Sequence, residues 1–272
     1  MEYTIERQHK FSLGFKELMR YRELFYFFTW RDIKVKYKQA ALGFLWAVLQ
    51  PLLMMLIFTL IFSKGLKVSS EGIPYPVFAL SGLIIWNIFS NGLLNSANSM
   101  VVNASIIKKI YFPRLIIPMS SILTALFDFC FALLIYIGVI IFYHHNTDWL
   151  RVLYCLPISI LLTVITTFGL GTFLAALNVK YRDFQYVIPF MIQFLLFVNP
   201  VLYSSKIITN SWFVWVMKIN PLANAINLSR SAFTGNPIQW GDVGLGFVVA
   251  IALFMIGIYT FRKTEAYFAD LA

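Results

Sequence analysis

Charge is scarce in this chain. Only 12% of its 272 residues are Asp, Glu, Lys or Arg, where a soluble domain carries about 25%. So few charges leave an ordinary aqueous surface unsolvated, and the composition points to a bilayer before any motif is considered. Cysteine is scarcer still. Cys130 and Cys155 offer neither a metal-ligand spacing nor a disulfide framework. Both fall in apolar stretches, where a free cysteine is expected to act as a small buried hydrophobe. Within the long apolar runs the one formal charge is Asp128. A lone carboxylate makes a poor proton relay, so Asp128 reads as a hydrogen-bond or ion-pair partner inside a helix bundle. The pattern Gly-x-x-x-x-Gly-Lys-Ser/Thr is absent, which excludes a nucleotide-binding loop of that kind. No cleavable leader is expected, because the first long apolar run opens only near Leu42, behind a charged segment.

What the sequence has is apolar length. Hydrophobic residues make up 60% of it and aromatic residues 18%. A helix needs roughly 20 apolar residues to cross a membrane, and six stretches qualify: Leu42–Phe62, Pro76–Leu94, Leu115–Tyr143, Val152–Asn178, Phe184–Tyr203 and Val243–Phe261. They are long and do not alternate, so they read as helices rather than barrel strands. The expected fold is all-α, a polytopic membrane protein of six transmembrane helices. With no internal repeat or low-complexity linker, residues 1–272 form one domain: an interface-helix region over 1–41, a membrane domain over 42–262 and a tail over 263–272. Six crossings put both termini on one side. Sixteen of the 22 Lys and Arg fall on the terminal side and six in the opposite loops, which places both termini in the cytoplasm.

Two segments outside these runs stand out. In residues 16–38, Leu18, Tyr21, Phe25 and Phe28 recur at helical spacing, while Lys16, Arg20, Arg31, Lys34 and Lys38 lie mostly on the other side. This pattern predicts an amphipathic helix in the membrane interface. Residues 204–242 are too apolar for a free loop and too broken to span. Asn220-Pro221 and Gly235-Asn236-Pro237 punctuate them, and Trp212, Trp215 and Trp240 are natural interface anchors. Short re-entrant helices before the last span fit best. His144, His145 and Asp148 lie close together, but nothing nearby supplies a nucleophile or a metal-ligand set, so they read as a polar turn.

Residues 31–51, RDIKVKYKQAALGFLWAVLQP, then Ile107-Lys108-Lys109, Tyr111-Phe112-Pro113-Arg114 and Pro118, then Asn178-Val179-Lys180-Tyr181-Arg182-Asp183, and finally Asn199-Pro200-Val201 and Asn220-Pro221, follow one another in a characteristic order. Together they resemble the type-2 permeases of polysaccharide-export ABC transporters, which serve O-antigen, capsule and teichoic acid. The resemblance runs from the N-terminal helix to the last span. It implies a bacterial inner-membrane subunit without enzymatic activity or a cofactor of its own. Two copies of it would pair with two copies of a separate ATPase that binds ATP and Mg. The cargo would be an undecaprenyl-linked glycan, and no nucleic acid is involved. The tail, RKTEAYFADLA, leaves no room for a fused ATPase.

On that reading three residue groups have work to do. A cytoplasmic element over 105–114 would dock on the ATPase through Ile107, Lys108, Lys109, Ile110, Phe112 and Arg114. Aromatic rings stack on the C–H faces of sugars. Tyr186, Phe190, Phe194 and Phe197 form one helix face, and Phe44, Phe58 and Phe62, with Gln50 nearby, form a looser stripe. These rings serve equally well as a conduit lining or as ordinary lipid-facing or core packing. Arg31, Lys34, Lys38 and Arg182 lie where a diphosphate headgroup or membrane lipids would meet them, although positive-inside topology alone also explains them. Other readings are an ABC permease for teichoic acid, capsule or another lipid or drug cargo and, more remotely, a membrane glycosyl or acyl transferase.

Overall fold

The computed structural model describes residues 20–38, 45–207 and 210–265, and among these every regular element is helical. In chain order they are α1 (Arg22–Lys38), α2 (Leu45–Phe58, continued by a π-helical turn over Thr59–Gly65), α3 (Tyr75–Val102) and the single turn α4 (Ala104–Ile107). Then follow α5 (Ile116–Phe142), α6 (Trp149–Lys180), α7 (Phe184–Val198), α8 (Ser211–Ile219), α9 (Pro221–Thr234) and α10 (Trp240–Glu265). Five are long and apolar enough to cross a membrane: α2 with its π turn, α3, α5, α6 and α10. The expected fifth span is shorter than the sequence suggested. Its helix α7 ends at Val198, giving 15 residues, or about 22 Å of rise.

Local chemistry sets the boundaries. Asp148 caps α6 by accepting from the backbone N–H groups of Leu150 and Arg151. Asn210 caps α8 through Trp212 N–H at 3.0 Å. Asn220 caps α9 through Leu222 and Ala223, with Pro221 in the first turn, where its missing N–H costs nothing. Gly235, at φ 74°, ends α9 in the left-handed conformation that a side chain disfavours.

Helix α3 is the axis of the bundle. It packs most heavily on α5 and α6, and α6 also carries α10 along its length. The α6–α10 contact is close because glycines meet. A Cβ on Gly257 would stand 2.1 Å from the Gly169 carbonyl oxygen, and one on Gly169 would strike the backbone of Phe254. Small residues at such crossings are how membrane helices gain packing where the hydrophobic effect cannot drive association. Helix α9 is buried on nearly every face, against α6, α3 and α10.

At the N-terminal end of the description, Tyr21, Phe25 and Phe28 turn inward. Phe28 joins a core cluster with Ile107, Phe112 and Phe261, and its ring lies 5.6 Å from that of Phe112. The described part of the amphipathic stripe therefore packs on the bundle; Lys16 and Leu18 lie outside the described residues. The cysteine expectation holds for one of two. Cys155 is buried, whereas Cys130 lies on the exposed face of α5. The His144 turn is structural: His145 Nε2 lies 3.1 Å from the Phe233 carbonyl, and the Asp148 carboxylate is used as a helix cap.

Candidate functional site

A polar cleft is bounded by α1, α2, α3 and α5. Helix α3 supplies Asn87, Asn91, Asn95 and Asn98, and the spacing of four, four and three puts them on one face. Helix α2 brings Gln50 opposite them. The cleft holds two volumes, about 240 Å3 and about 630 Å3, whose walls share Gln50, Asn91 and Lys36. Asp128 closes one side. Its carboxylate accepts hydrogen bonds from Lys36 Nζ and Tyr37 Oη, both on α1. Burial, then Asp128, push the Tyr37 hydroxyl above the ordinary phenol range, so it remains a donor. The intramembrane acid thus has partners 91 and 92 positions away in sequence, and it fastens α1 to α5.

Of the expected headgroup residues, only Arg31 lines the cleft. Arg31 is already engaged, to Asp32 at 2.7 Å and over the Phe28 ring at 4.8 Å. Lys34 lies over Trp30 at 5.4 Å. Lys38 and Arg182 are exposed. The conduit aromatics divide in two. Tyr186, Phe190, Phe194 and Phe197 all stand exposed on α7, whose one buried side chain is Ile188. Phe58 and Phe62 instead turn inward, their rings 6.0 Å apart, and pack on Tyr75, Phe78 and Ala79. Aromatics need not line a surface, and here the shortest route for these two out of lipid is onto the start of α3. Phe44 lies outside the described residues.

The 105–114 element is also split by burial. A single helical turn, Ala104–Ile107, opens it, and the rest is irregular. Ile107 and Phe112 are core residues, 6% and 4% exposed, so they are not surface knobs. Lys108, Lys109, Ile110 and Tyr111 face outward. Arg114 reaches the Glu265 carbonyl at the end of α10.

A second polar centre occupies the opposite end of the bundle. Arg230 of α9 is 3% exposed. It donates to the carbonyls of Val201 (3.0 Å) and Tyr203 (3.4 Å) and lies 3.8 Å over the Phe78 ring, a desolvated cation–π contact. Nearby, Glu71 accepts from Ser204 Oγ, from Lys206 Nζ at 2.8 Å and from Asn236 Nδ2 at 2.6 Å. Burial alone would raise the Glu71 pKa, but Lys206, Ser204 and Arg230 overcome it and hold the carboxyl below its ordinary value. This centre ties together the α2–α3 loop, the segment after α7 and the α9–α10 turn.

A family model described as ABC-2 type transporter matches residues 23–234. The chain belongs to the ABC-2 type transporter family. The matched span of this ABC-2 chain covers the cleft, the 105–114 element, α7 and the Arg230 centre apart from Asn236. Among similar proteins, the O-antigen export system permease protein RfbA of Klebsiella pneumoniae is 32% identical over 262 residues, 96% of this chain and 98% of the relative. The RfbA protein of Myxococcus xanthus is 30% identical over 220 residues, 80% of this chain and 83% of the relative. The polysialic acid transport protein KpsM of Escherichia coli is 26% identical over 244 residues, 86% and 91% of the two chains. Sequence reasoning singled out Gln50 but passed over the asparagines of the ABC-2 chain's α3. Their signal was available: four amides at helical spacing in a segment otherwise rich in Leu, Ile and Ser.

Proposed function

We propose that this chain is the transmembrane subunit of an ATP-driven exporter that moves a lipid-linked polysaccharide, O-antigen first among the candidates, across the bacterial inner membrane. The observation that carries the reading is the similarity, along nearly the whole chain, to a protein named as an O-antigen export permease. The geometry supports it through the bare aromatic face of α7. A lone chain gains nothing specific from four aligned rings, whereas a glycan finds stacking surfaces on them. Helices α2 and α7 both rest on α3 and leave most of their own surface open. In the proposed assembly a second copy meets these helices, and the conduit runs between the two.

In this reading α7 also crosses, which brings the number of crossings to six. Its helix spans about 22 Å, and residues 199–203 complete the passage where protein covers them, because Val201 and Leu202 are buried. Helices α8 and α9 re-enter from the outer side, and both termini stay in the cytoplasm. The 105–114 element docks on the separate ATPase through Lys108, Lys109, Ile110 and Tyr111, the side chains it leaves exposed. The glycan's lipid diphosphate arrives near Lys34, Lys38 and Arg182.

The test is complementation. Introduced with its ATPase partner into a strain lacking an O-antigen permease, the chain should restore surface polysaccharide. Reversal of charge at Lys108 and Lys109 should abolish export while leaving the protein in the membrane. Alanine at both Phe190 and Phe194 should slow export strongly, and either alone mildly. Restoration of no surface glycan, with the protein present at normal level, defeats the reading.

A further inference from the structure

Helix α3 is the most enclosed span of the bundle, yet one of its faces carries four carboxamides. From Asn87 to Asn98 they cover about 16 Å, with one amide on each successive turn. Gln50, Asn87, Asn91 and Asn95 make no side-chain hydrogen bond to any described residue, and only Asn98 has a partner, Asn178 Nδ2 at 2.9 Å. Each carboxamide offers two donors and an acceptor with two lone pairs. Leaving such groups unmatched within a membrane is costly, and polar residues there mark a path for something polar. Packing does not account for them, since they line open volume rather than fill it.

Charge narrows the occupant. Among the described residues, the ionised groups of the cleft wall are Arg31, Asp32, Lys36 and Asp128, and each cation is held by a carboxylate, Arg31 by Asp32 and Lys36 by Asp128. The described wall is therefore neutral overall. Among these residues a diphosphate finds no uncommitted cation, whereas a row of uncharged donor–acceptor pairs complements the hydroxyls of a sugar. Trp46 in the wall of the smaller volume adds an indole face against which a sugar ring can stack.

We propose that the asparagine face of α3, with Gln50 and Trp46 across from it, is a binding track for the sugar rings of the cargo, and that it reads neutral hydroxyls rather than the phosphates of the carrier. This rests on the export reading above and adds the site where the glycan is first held. A cysteine at Val102, exposed in the wall of the larger volume, reports on it in a Cys130→Ala background. The full chain with its ATPase partner is placed in membrane vesicles, and labelling by a water-soluble maleimide is timed. Two probes are added: farnesyl diphosphate carrying two hexoses, and farnesyl diphosphate without sugar. The sugar-bearing probe should protect Val102→Cys at about tenfold lower concentration. The double variant Asn91→Leu/Asn95→Leu should erase that advantage and leave the bare probe unchanged. Leucine favours insertion of a span, and membrane abundance of the variant is checked alongside. Equal protection by both probes in the parent overturns the proposal, as does an advantage that survives the double variant. Disulfide-linked dimers through Val102→Cys would assign the cleft to a second copy and overturn it too. Surface polysaccharide is measured in parallel. Its restoration by the parent alongside a failed probe experiment removes only the track, whereas its absence removes the export reading.

Discussion

Substituting alanine for Gly257 should destabilise the bundle through one contact. The new Cβ would sit 2.1 Å from the Gly169 carbonyl oxygen and 2.6 Å from Thr172 Oγ1. The nearer obstacle is backbone, which no rotamer change can clear, so α6 and α10 must separate by about 1 Å before contact becomes ordinary. Overpacking of this kind costs about 1–3 kcal/mol, and a backbone obstacle puts Gly257 at the upper end. Against this stands the helix propensity gained when glycine becomes alanine, about 1 kcal/mol. The net loss is about 2 kcal/mol, or roughly 4–8 °C in melting temperature for a chain of this size. Gly138→Ala and Gly244→Ala are the controls, because a Cβ at either meets nothing within 4 Å. They should melt at or above the parent. The buried thiol of Cys155 provides the readout: in a Cys130→Ala background, a thiol-reactive dye reports its exposure during a thermal ramp in detergent. If Gly257→Ala melts with the controls, the close crossing of α6 and α10 does not hold the bundle together.

Asn220→Ala should cost about 1–2 kcal/mol in the same assay, because it removes the α9 cap and the Asn220 Nδ2 bond to Asn199 Oδ1 at 2.9 Å. The Glu71 carboxyl is held below its ordinary pKa, so its stabilisation is present above the ordinary carboxylate range and is lost as pH falls through the depressed folded value. Hydrogen-exchange protection of residues 66–74, taken relative to the intrinsic rate at each pH, should therefore be high at neutral pH and fall below about pH 4, and Glu71→Gln should flatten that dependence. Lys36→Met leaves the Asp128 charge with Tyr37 alone among its described partners, so α1 should become more accessible to protease; adding Asp128→Leu should restore protection, since removing both partners spares the orphaned charge.

Hydropathy made most of the architecture legible, because apolar length is a direct physical demand of the bilayer. The spans at α3, α5, α6 and α10 lie where the apolar runs put them; α3, α6 and α10 run past their predicted ends, and α5 stops one residue short at each end. The short helices α8 and α9 were readable as far as their turns: Asn220-Pro221 begins α9 and Gly235 ends it. What escaped was which face of an element turns inward. Phe112 and Ile107 share a basic, apolar stretch with Ile110, and nothing local distinguishes the two that join the core from the one left bare. The partners of Asp128 were equally hidden, because no rule of local spacing joins residues 91 and 92 positions apart. The asparagine face was overlooked for a different reason. A hydropathy window averages four amides into the surrounding aliphatics, and only inspection at helical period separates them.

The bond between Lys36 and Asp128 also bears on the order in which the molecule comes into being. The cation is translated 92 residues before the anion, an interval of roughly 5–20 s at ordinary rates of synthesis. During that time α1 already exists while α5 is still on the ribosome. When α5 is released toward the bilayer, its carboxylate meets a counter-ion and a phenol that are already made. The most costly side chain of the third span is therefore the one whose partners are made earliest, and an exchange of the two charges would keep that order, with a cation entering the span to meet an acid already made.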